Sequence, residues 1–300
     1  MHRVDWGDQH GDEGGQHRKC CPICRCCLIC FFADTDTISS AIHEWETQDG
    51  NEAAAAFKMF EYLPLMFNAV MTMSHWDSAK IVQAWTMFLV AMCMMARASD
   101  VTRFCPTYED IQLAPPAMWD EDGTPQFIEL GLRDWKWRSY ENKRKKTRYG
   151  MRIWKNEDPR FCPVRWLLLW LKISGIKSGP IFQRFGSNSQ GGLCTGEPLA
   201  EGMWCGMTSR IWAAVGLHAL GCTNHSIRVT ACQWCGRCGG TVLDAKNTGR
   251  WKTTQEMSRY FQEGAREGTR LREGGGKDPL LKMWIWRPCT IGGEDGRSQM

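Results

Sequence analysis

The chain has 300 residues, of which 43% are hydrophobic and 23% charged, and its formal net charge is +4 at pH 7. This composition is typical of a soluble globular protein with room for one large domain or two ordinary ones. The longest apolar run, near residues 88–96, is much shorter than the roughly 20 residues that cross a bilayer. The hydrophilic first residues do not form a secretory signal. We therefore expect an intracellular protein with no membrane partner.

Sixteen cysteines occur along the chain, six of them within residues 20–30. Without an export signal, a reducing compartment and free thiols are expected. Two C-x-x-C steps in this cluster are candidate zinc ligands, namely Cys21/Cys24 and Cys27/Cys30. Structural zinc modules usually separate their ligand pairs by about a dozen residues or more, and the gap here is two. We therefore favour an incidental or disordered leader over a metal site.

The first predicted elements are helical. An Ala-rich segment from residue 52 favours a helix that Pro64 interrupts. Residues 79–96 have the length of a buried helix, and Arg97 follows where that helix gives way to a turn. Such an arginine is held rigidly, although an ordinary surface or salt-bridged arginine is the commoner case. Residues 105–126, with their Pro and Gly pairs, are typical of loops.

A basic hairpin follows. The segments FIELGLRDWKWRSY and RYGMRIWK suit two strands, and the KRKK run lies at the turn between them. Residues 133–155 hold ten Lys or Arg and two acidic residues, a local charge of +8, so the rest of the chain sums to −4. This concentration favours a polyanion as partner. The KRKK run also suits a nuclear localisation signal, a solvated turn or a phosphate-contacting tip, and these are compatible.

Three further elements follow the hairpin. Residues 161–171 predict a helix with Pro163 in its first turn, where the missing N–H costs little. The Gly-rich segment at residues 186–197 predicts a flexible loop, and residues 203–220 predict another amphipathic helix.

Residues 223–261 contain the side chains with the most distinctive chemistry. His225 and Arg228 are one helical turn apart, Trp251 follows 23 residues after Arg228, and Tyr260 nine residues later. Cleaving a DNA phosphodiester without a metal needs a nucleophile, positive charge on the non-bridging oxygens, and a proton for the leaving oxygen. Arginine suits the phosphate clamp because its planar fork stays charged, and lysine or histidine can move protons near neutral pH.

This order and spacing resembles the second half of the active site of the tyrosine recombinases, the phage-integrase family. The segment HSIRVTACQWCGRCGG is similar to the H-x-x-R box of Crypton-type mobile-element recombinases. Arg97 sits where the family has its first catalytic arginine, and Asp100 follows three positions on. The resemblance covers about residues 63–265 and implies an α+β fold, a mainly helical catalytic domain with a small antiparallel β-hairpin. The H-x-x-R motif alone is common by chance. The resemblance depends on the full set of Arg, Lys, His-x-x-Arg, Trp and Tyr in this order along the chain.

The resemblance also implies a role for each residue. Tyr260 would attack the scissile phosphate and form a 3′-phosphotyrosine, and His225 would assist with its proton. Arg97 and Arg228 would together stabilise the pentavalent phosphate, and Trp251 would pack or donate a hydrogen bond to it. Lys136 would protonate the leaving oxygen, with Lys145 and Lys146 as alternatives. The candidate catalytic residues are Arg97, Lys136, His225, Arg228, Trp251 and Tyr260. The candidate DNA-contacting residues of the hairpin are Arg138, Lys143, Arg144, Lys145, Lys146 and Arg148.

On this resemblance the protein recombines or integrates DNA in the nucleus, needs no metal or other cofactor, and forms a homotetramer on double-stranded DNA. We expect a leader at residues 1–50, a catalytic domain at 51–265 and a tail at 266–300. Family members usually clamp DNA with a separate N-terminal helical domain, for which the region before residue 63 is short. A decayed or domesticated DNA-binding module without activity is therefore the alternative hypothesis.

Three more cysteines, Cys232, Cys235 and Cys238, follow the H-x-x-R box in steps of three. Steps of three along a helix place side chains on one face, so we favour packing over zinc binding. A zinc-dependent interaction protein built on the cysteine clusters is the least favoured of the three hypotheses.

Overall fold

The computed structural model describes residues 62–132, 149–186, 194–251 and 253–273. Its α-helices are α1 (Leu63–Thr72), α2 (Ser78–Cys93), α3 (Ala98–Val101), α4 (Pro163–Ser174), α5 (Glu201–Ala214), α6 (Asn224–Arg237), α7 (Val242–Gly249) and α8 (Gln255–Glu273). Its strands are β1 (Ile111–Leu113), β2 (Phe127–Leu132), β3 (Tyr149–Trp154), β4 (Gln183–Phe185) and β5 (Cys194–Pro198). The predicted leader, the turn of the basic hairpin and most of the predicted tail lie outside these residues. None of the described helices is long and apolar enough to cross a membrane.

Helix α2 forms the centre of the core. Asp77 caps it by accepting a hydrogen bond from the Lys80 backbone N–H at 2.7 Å, which satisfies one of the free donors of the first turn. Nearly every residue of α2 is buried, because α1, α4, α5 and α6 all contact it. Its two buried polar side chains are hydrogen-bonded, Gln83 to the Gln183 carbonyl and Thr86 to the Trp166 carbonyl. The predicted buried helix is confirmed.

Proline marks the beginning of two helices. Pro64 lies in the first turn of α1, and Pro163 is the first residue of α4. A first-turn residue has no N–H bond to lose, and its fixed φ suits helix entry. The Ala-rich segment that Pro64 was predicted to interrupt lies outside the described residues. Helix α4 is confirmed, and it ends at Gly175, whose φ of 64° is the left-handed conformation that favours glycine. The helix predicted over residues 203–220 ends early, at Ala214.

Two small antiparallel sheets accompany the helices. Strands β1, β2 and β3 pair in that order, with Ile128 opposite Ile153 and Leu130 opposite Met151 on the buried face. Both predicted hairpin strands are confirmed over their described residues. The segments that yield β1 and β5 were expected to be loops, and each is a short strand, β1 paired with β2 and β5 paired with β4. The chain is an α+β protein, mainly helical with small antiparallel sheets, as predicted.

Helices α6 and α8 touch at their glycines. A Cβ atom added to Gly236 would lie 2.6 Å from the Phe261 carbonyl oxygen, and one added to Gly264 or Gly268 would lie closer still to the backbone of α6. Glycine inside a helix costs about 1 kcal/mol relative to alanine. Here it permits a backbone contact that no larger residue would allow. This contact sets where the beginning of α8 lies relative to α6.

We expect Gly264→Ala to lower the free energy of unfolding by about 2 kcal/mol, because the new methyl group meets backbone atoms of α6 and one helix must move. Gly206→Ala is the matched control. Gly206 is an exposed residue within α5 with no atom near its would-be Cβ, so alanine there should raise stability by up to about 1 kcal/mol. Urea unfolding midpoints measure both. Shifts of the same sign in the two variants would contradict the close approach of α6 and α8.

Candidate active site

Five of the six candidate catalytic residues lie in the part of the chain that the structure describes. Arg97 lies in the turn after α2, His225 and Arg228 on α6, Trp251 directly after α7, and Tyr260 near the beginning of α8. Residues 133–148, which include Lys136 and all the candidate DNA-contacting residues, lie outside the described ranges. Their roles stay predictions, as does the nuclear location. Helix α8 continues past residue 265, and the domain bounds also stay predictions.

The beginning of α6 places His225 and Arg228 in different environments. Thr223 caps the helix and accepts a hydrogen bond from the His225 backbone N–H at 3.2 Å, while Ser226 accepts one from the Thr223 N–H at 3.0 Å. These reciprocal bonds form a capping box, which stabilises the first turn. His225 is exposed on this turn, and Arg228, one turn later, is only 1% exposed. In the H-x-x-R box, His225 is therefore in contact with solvent and Arg228 lies in the core.

The guanidinium of Arg228 connects two separate turns of the chain. Its Nη1 donates to the Met95 carbonyl at 2.6 Å, and its Nη2 donates to the Gly249 carbonyl at 2.5 Å. Its Cζ lies 3.8 Å from the ring centroid of Trp251, a cation–π contact. Arg228 therefore joins the turn that carries Arg97 to the turn that carries Trp251.

Both of these turns contain a strained residue. Met95 and Arg250 have φ angles of 45° and 54°, and they are the only described residues other than glycine with a positive φ. The left-handed conformation costs such residues on the order of 1–2 kcal/mol. Arg228 binds the carbonyl of Met95 itself and the carbonyl of Gly249, which directly precedes Arg250. Its two hydrogen bonds thus help to hold both turns in a conformation that their own residues disfavour.

A buried ion pair lies beside Arg228. Arg250 Nη2 is 2.5 Å from Asp100 Oδ2, and both side chains are at most 4% exposed. The same carboxylate oxygen accepts the backbone N–H of Arg97 at 2.9 Å. Sequence reasoning noted Asp100 only as the acid that follows Arg97, and it missed Arg250. The position of Arg250 next to Trp251 was the only available signal.

Positive charge exceeds negative charge in this cluster, in which the charges of Arg97, Arg250 and Asp100 all act on Arg228. Burial, together with the charges of Arg97 and Arg250, lowers the pKa of Arg228 to about 9, and Asp100 opposes the shift. Arg228 therefore remains charged at neutral pH. Partial desolvation, assisted by Arg228 and Arg97, also lowers the pKa of the exposed His225 below its usual 6.5, so this imidazole is mainly neutral at pH 7. An anion reaching the cluster would be stabilised.

Tyr260 lies next to the neutral histidine. Its ring centroid is 6.4 Å from that of His225, and the rings are inclined by 72°. The tyrosine is half-buried and packs against the core, and no described side chain is hydrogen-bonded to its hydroxyl. A phenol beside an imidazole is a candidate nucleophile toward a bound phosphate.

Cys232 and Cys235 belong to the core. Both are buried on α6, and burial raises the pKa of the Cys232 thiol to about 12 and that of Cys235 higher still. Cys238 is partly buried and packs against the hydrophobic core. The predicted packing role is confirmed for this face. Among the residues that the structure describes, no group of three or more His, Cys, Asp or Glu side chains has the geometry of a metal site.

The lowered pKa of His225 predicts how stability depends on pH. The unfolded chain, with a pKa near 6.5, binds a proton before the folded protein does. This contribution to stability is therefore complete above pH 6.5 and is lost as the pH falls through 6.5 toward the folded pKa. We expect His225→Gln to reduce the loss of stability between about pH 8 and pH 5.5. Urea midpoints measure it, with the exposed His75→Gln as control. An unchanged pH dependence in His225→Gln would contradict this assignment.

Comparison with known proteins is limited to structure. No protein-family model matches the sequence, and no curated protein matches it. The fold is similar to the XerH site-specific recombinase bound to its palindromic difH substrate in a post-cleavage complex, with a TM-score of 0.49 and 10% identity over 72% of this chain and 51% of that chain. It is also similar to Flpe in a Holliday junction complex, with a TM-score of 0.46 and 15% identity over 74% and 53%.

A mutant of Flpe in complex with a DNA Holliday junction gives a TM-score of 0.44 and 13% identity over 77% of this chain and 52% of that chain. The chain thus spans about half the length of each of these structures. At these identities the likeness concerns the course of the backbone, and the chemistry of the site has to come from the side chains described above.

Proposed function

We propose that this protein cleaves and rejoins DNA through a covalent phosphotyrosine, as its sequence resemblance to the tyrosine recombinases implies. One observation carries the proposal. Tyr260 lies beside the neutral His225, and the same helix that bears His225 anchors an arginine cluster with excess positive charge. Three elements distant in the sequence supply these groups. A nucleophile, a proton acceptor and a phosphate-stabilising charge thereby come together.

In the proposed reaction, the Tyr260 oxygen attacks the phosphorus, and the bond from phosphorus to the 5′ oxygen breaks. His225, neutral at pH 7, accepts the phenol proton. The 5′ oxygen leaves with a proton, the role proposed for Lys136. Arg97 is half-buried, and its guanidinium is the one proposed to contact the non-bridging oxygens directly.

Arg228 stabilises the same negative charge from the protein interior. Both of its terminal nitrogens already donate to backbone carbonyls, so it acts on the phosphate through its positive charge and not through direct hydrogen bonds. Trp251 covers the guanidinium and shields it from water. This division differs from the sequence expectation that Arg97 and Arg228 hold the phosphate together.

Rejoining follows from the same chemistry. The phosphotyrosine retains the energy of the phosphodiester, so the 5′ hydroxyl of another strand can attack it and release Tyr260. Exchange between two duplexes uses four active sites, and we propose a homotetramer on DNA. A mobile element acting in the nucleus is the setting that the Crypton-like box suggests.

One observation favours the alternative, a DNA-binding module that does not cut. Arg228 is only 1% exposed, with both terminal nitrogens already bound to carbonyls. A phosphate that requires direct contact with this side chain would find it shielded. The arginine cluster would then serve binding alone.

Nicked suicide DNA separates the two candidates, because a nick near the scissile phosphate lets the released strand diffuse away and traps the covalent intermediate. We expect a protein–DNA adduct on a denaturing gel, with the DNA attached to the tryptic peptide spanning residues 260–266. Retarded DNA without an adduct on any sequence offered, including element termini, would support the non-cutting module. Absence of any DNA binding would overturn both proposals.

A further inference from the structure

We propose that Arg250 is a positioning residue of this site, and that its buried ion pair with Asp100 holds Arg97 and Trp251 in place. The inference rests on the proposed function for its catalytic consequence. Arg250 itself has no role toward the phosphate in this proposal, because its charge is directed at Asp100.

The ion pair connects two candidate catalytic residues through short links. Arg250 directly precedes Trp251, and its backbone is left-handed, with a φ of 54°. Its Nη2 lies 2.5 Å from Asp100 Oδ2, the oxygen that also accepts the Arg97 backbone N–H at 2.9 Å. A single carboxylate oxygen thus joins the backbone of Arg97 to the side chain next to Trp251. Movement of one turn would be transmitted to the other.

A third segment meets the same guanidinium. Arg250 Nη1 lies 2.9 Å from the Sδ of Met151, a fully buried residue of β3. Strand β3 pairs with β2, and the segment between these two strands contains Lys136. The turn after α2, the end of α7 and the sheet therefore converge on Arg250. The turn after α2 carries Arg97, and the end of α7 directly precedes Trp251.

The pair is poorly suited to stabilising the fold alone. Asp100 Oδ1 and Arg250 Nε are both buried without a hydrogen-bond partner among the described residues. An unpaired buried polar atom is unfavourable, and replacing a buried ion pair by apolar side chains is often neutral or stabilising. The contacts of Asp100 with the Arg97 backbone and of Arg250 with Met151 explain the presence of the ion pair better than a contribution to stability does. An apolar pair would fill the space without fixing the two turns.

The test distinguishes an effect of the ion pair on the positions of Arg97 and Trp251 from an effect on the stability of the fold. The single variants Arg250→Met and Asp100→Leu each leave one buried charge unpaired, so we expect both to lower the urea midpoint. The double variant should recover most of the midpoint that either single variant loses, and it should fall short of wild type only by the hydrogen bond that Asp100 accepts from the Arg97 N–H. Its single-turnover rate of adduct formation at saturating DNA should nevertheless fall at least about 10-fold, because displacement by about 1 Å is enough for such a loss. Recovery of both the midpoint and the rate overturns the proposal.

Asp158 and Arg160 provide the matched control. They form a partly buried ion pair in the loop before α4, with Nη2 to Oδ2 at 2.7 Å. Their double replacement, Asp158→Leu with Arg160→Met, should leave the rate of adduct formation unchanged. An equal loss of rate in this control would show that any lost ion pair slows the enzyme, and the proposal would fall.

A readout without catalysis keeps this inference distinct from the proposed function. The charge of Arg97 helps to lower the pKa of His225, after partial desolvation and the charge of Arg228. NMR titration of His225 in the double variant should give a pKa closer to 6.5 than in the wild-type protein if Arg97 has moved. A wild-type protein that forms no adduct defeats the proposed function only. An unchanged His225 pKa defeats the positioning role.

Discussion

Tyr260→Phe is expected to abolish covalent attachment to nicked DNA while the protein still folds and binds DNA. The phenol oxygen is the attacking atom in the proposed reaction, and loss of such a nucleophile lowers the rate by at least about 10³-fold. The phenylalanine ring retains the packing against the core and against His225. No described side chain is hydrogen-bonded to the hydroxyl, so its removal leaves no buried partner unsatisfied. Denaturing gels and gel retardation measure the two effects.

Tyr108→Phe is the control for this variant. Tyr108 is also half-buried and packs against the core, but it lies in the 3-10 helix Tyr108–Asp110 and on neither of the helices α6 and α8 that carry His225 and Tyr260. Its adduct yield should equal that of the wild-type protein. Adducts that persist in Tyr260→Phe would show that another residue is the nucleophile, and the assignment of α8 to the active site would then be wrong.

Arg228→Met is expected to lower the free energy of unfolding by about 3 kcal/mol, because two buried carbonyls lose their donor at once. Those carbonyls belong to the two turns with left-handed residues, so the strain at Met95 and Arg250 also loses its support. Methionine fills a similar volume, which keeps a cavity from dominating the result. Urea unfolding measures the change. Adduct formation should also be lost at temperatures where the variant is folded.

Arg97→Met provides the comparison. Arg97 is half-buried, and its described hydrogen bond to Asp100 comes from the backbone, which the substitution retains. We expect a loss of adduct formation with a stability change within about 1 kcal/mol. If Arg228→Met were as stable as Arg97→Met, Arg228 would not be bracing the two turns. Arg97→Met thus tests a charge that contacts phosphate, and Arg228→Met tests a charge that also stabilises the two turns.

Local patterns predicted much of the fold. The apolar run of α2, the proline at the beginning of α4 and the alternating segments of β2 and β3 each depend on residues close in sequence. The short strands β1 and β5 were missed because three to five residues carry little periodicity. Their strand conformation depends on the hydrogen bonds that β2 and β4 supply.

The sequence by itself determined the candidate residues of the site, through the spacing of His225, Arg228, Trp251 and Tyr260 and the position of Arg97 after a buried helix. Only the tertiary structure decided what surrounds each of them. It places His225 at the surface and Arg228 in the interior, although one helical turn separates them. Burial depends on which other segments cover a helix face, and spacing along that helix carries no such information.

The same reason explains the glycine contacts and the Arg250–Asp100 pair. Each joins parts of the chain that are well separated in sequence, and each depends on how closely the two backbone segments approach. A sequence motif can name the groups that a reaction needs. Their distances, charges and exposure arise from contacts between distant segments, so only the folded chain sets them.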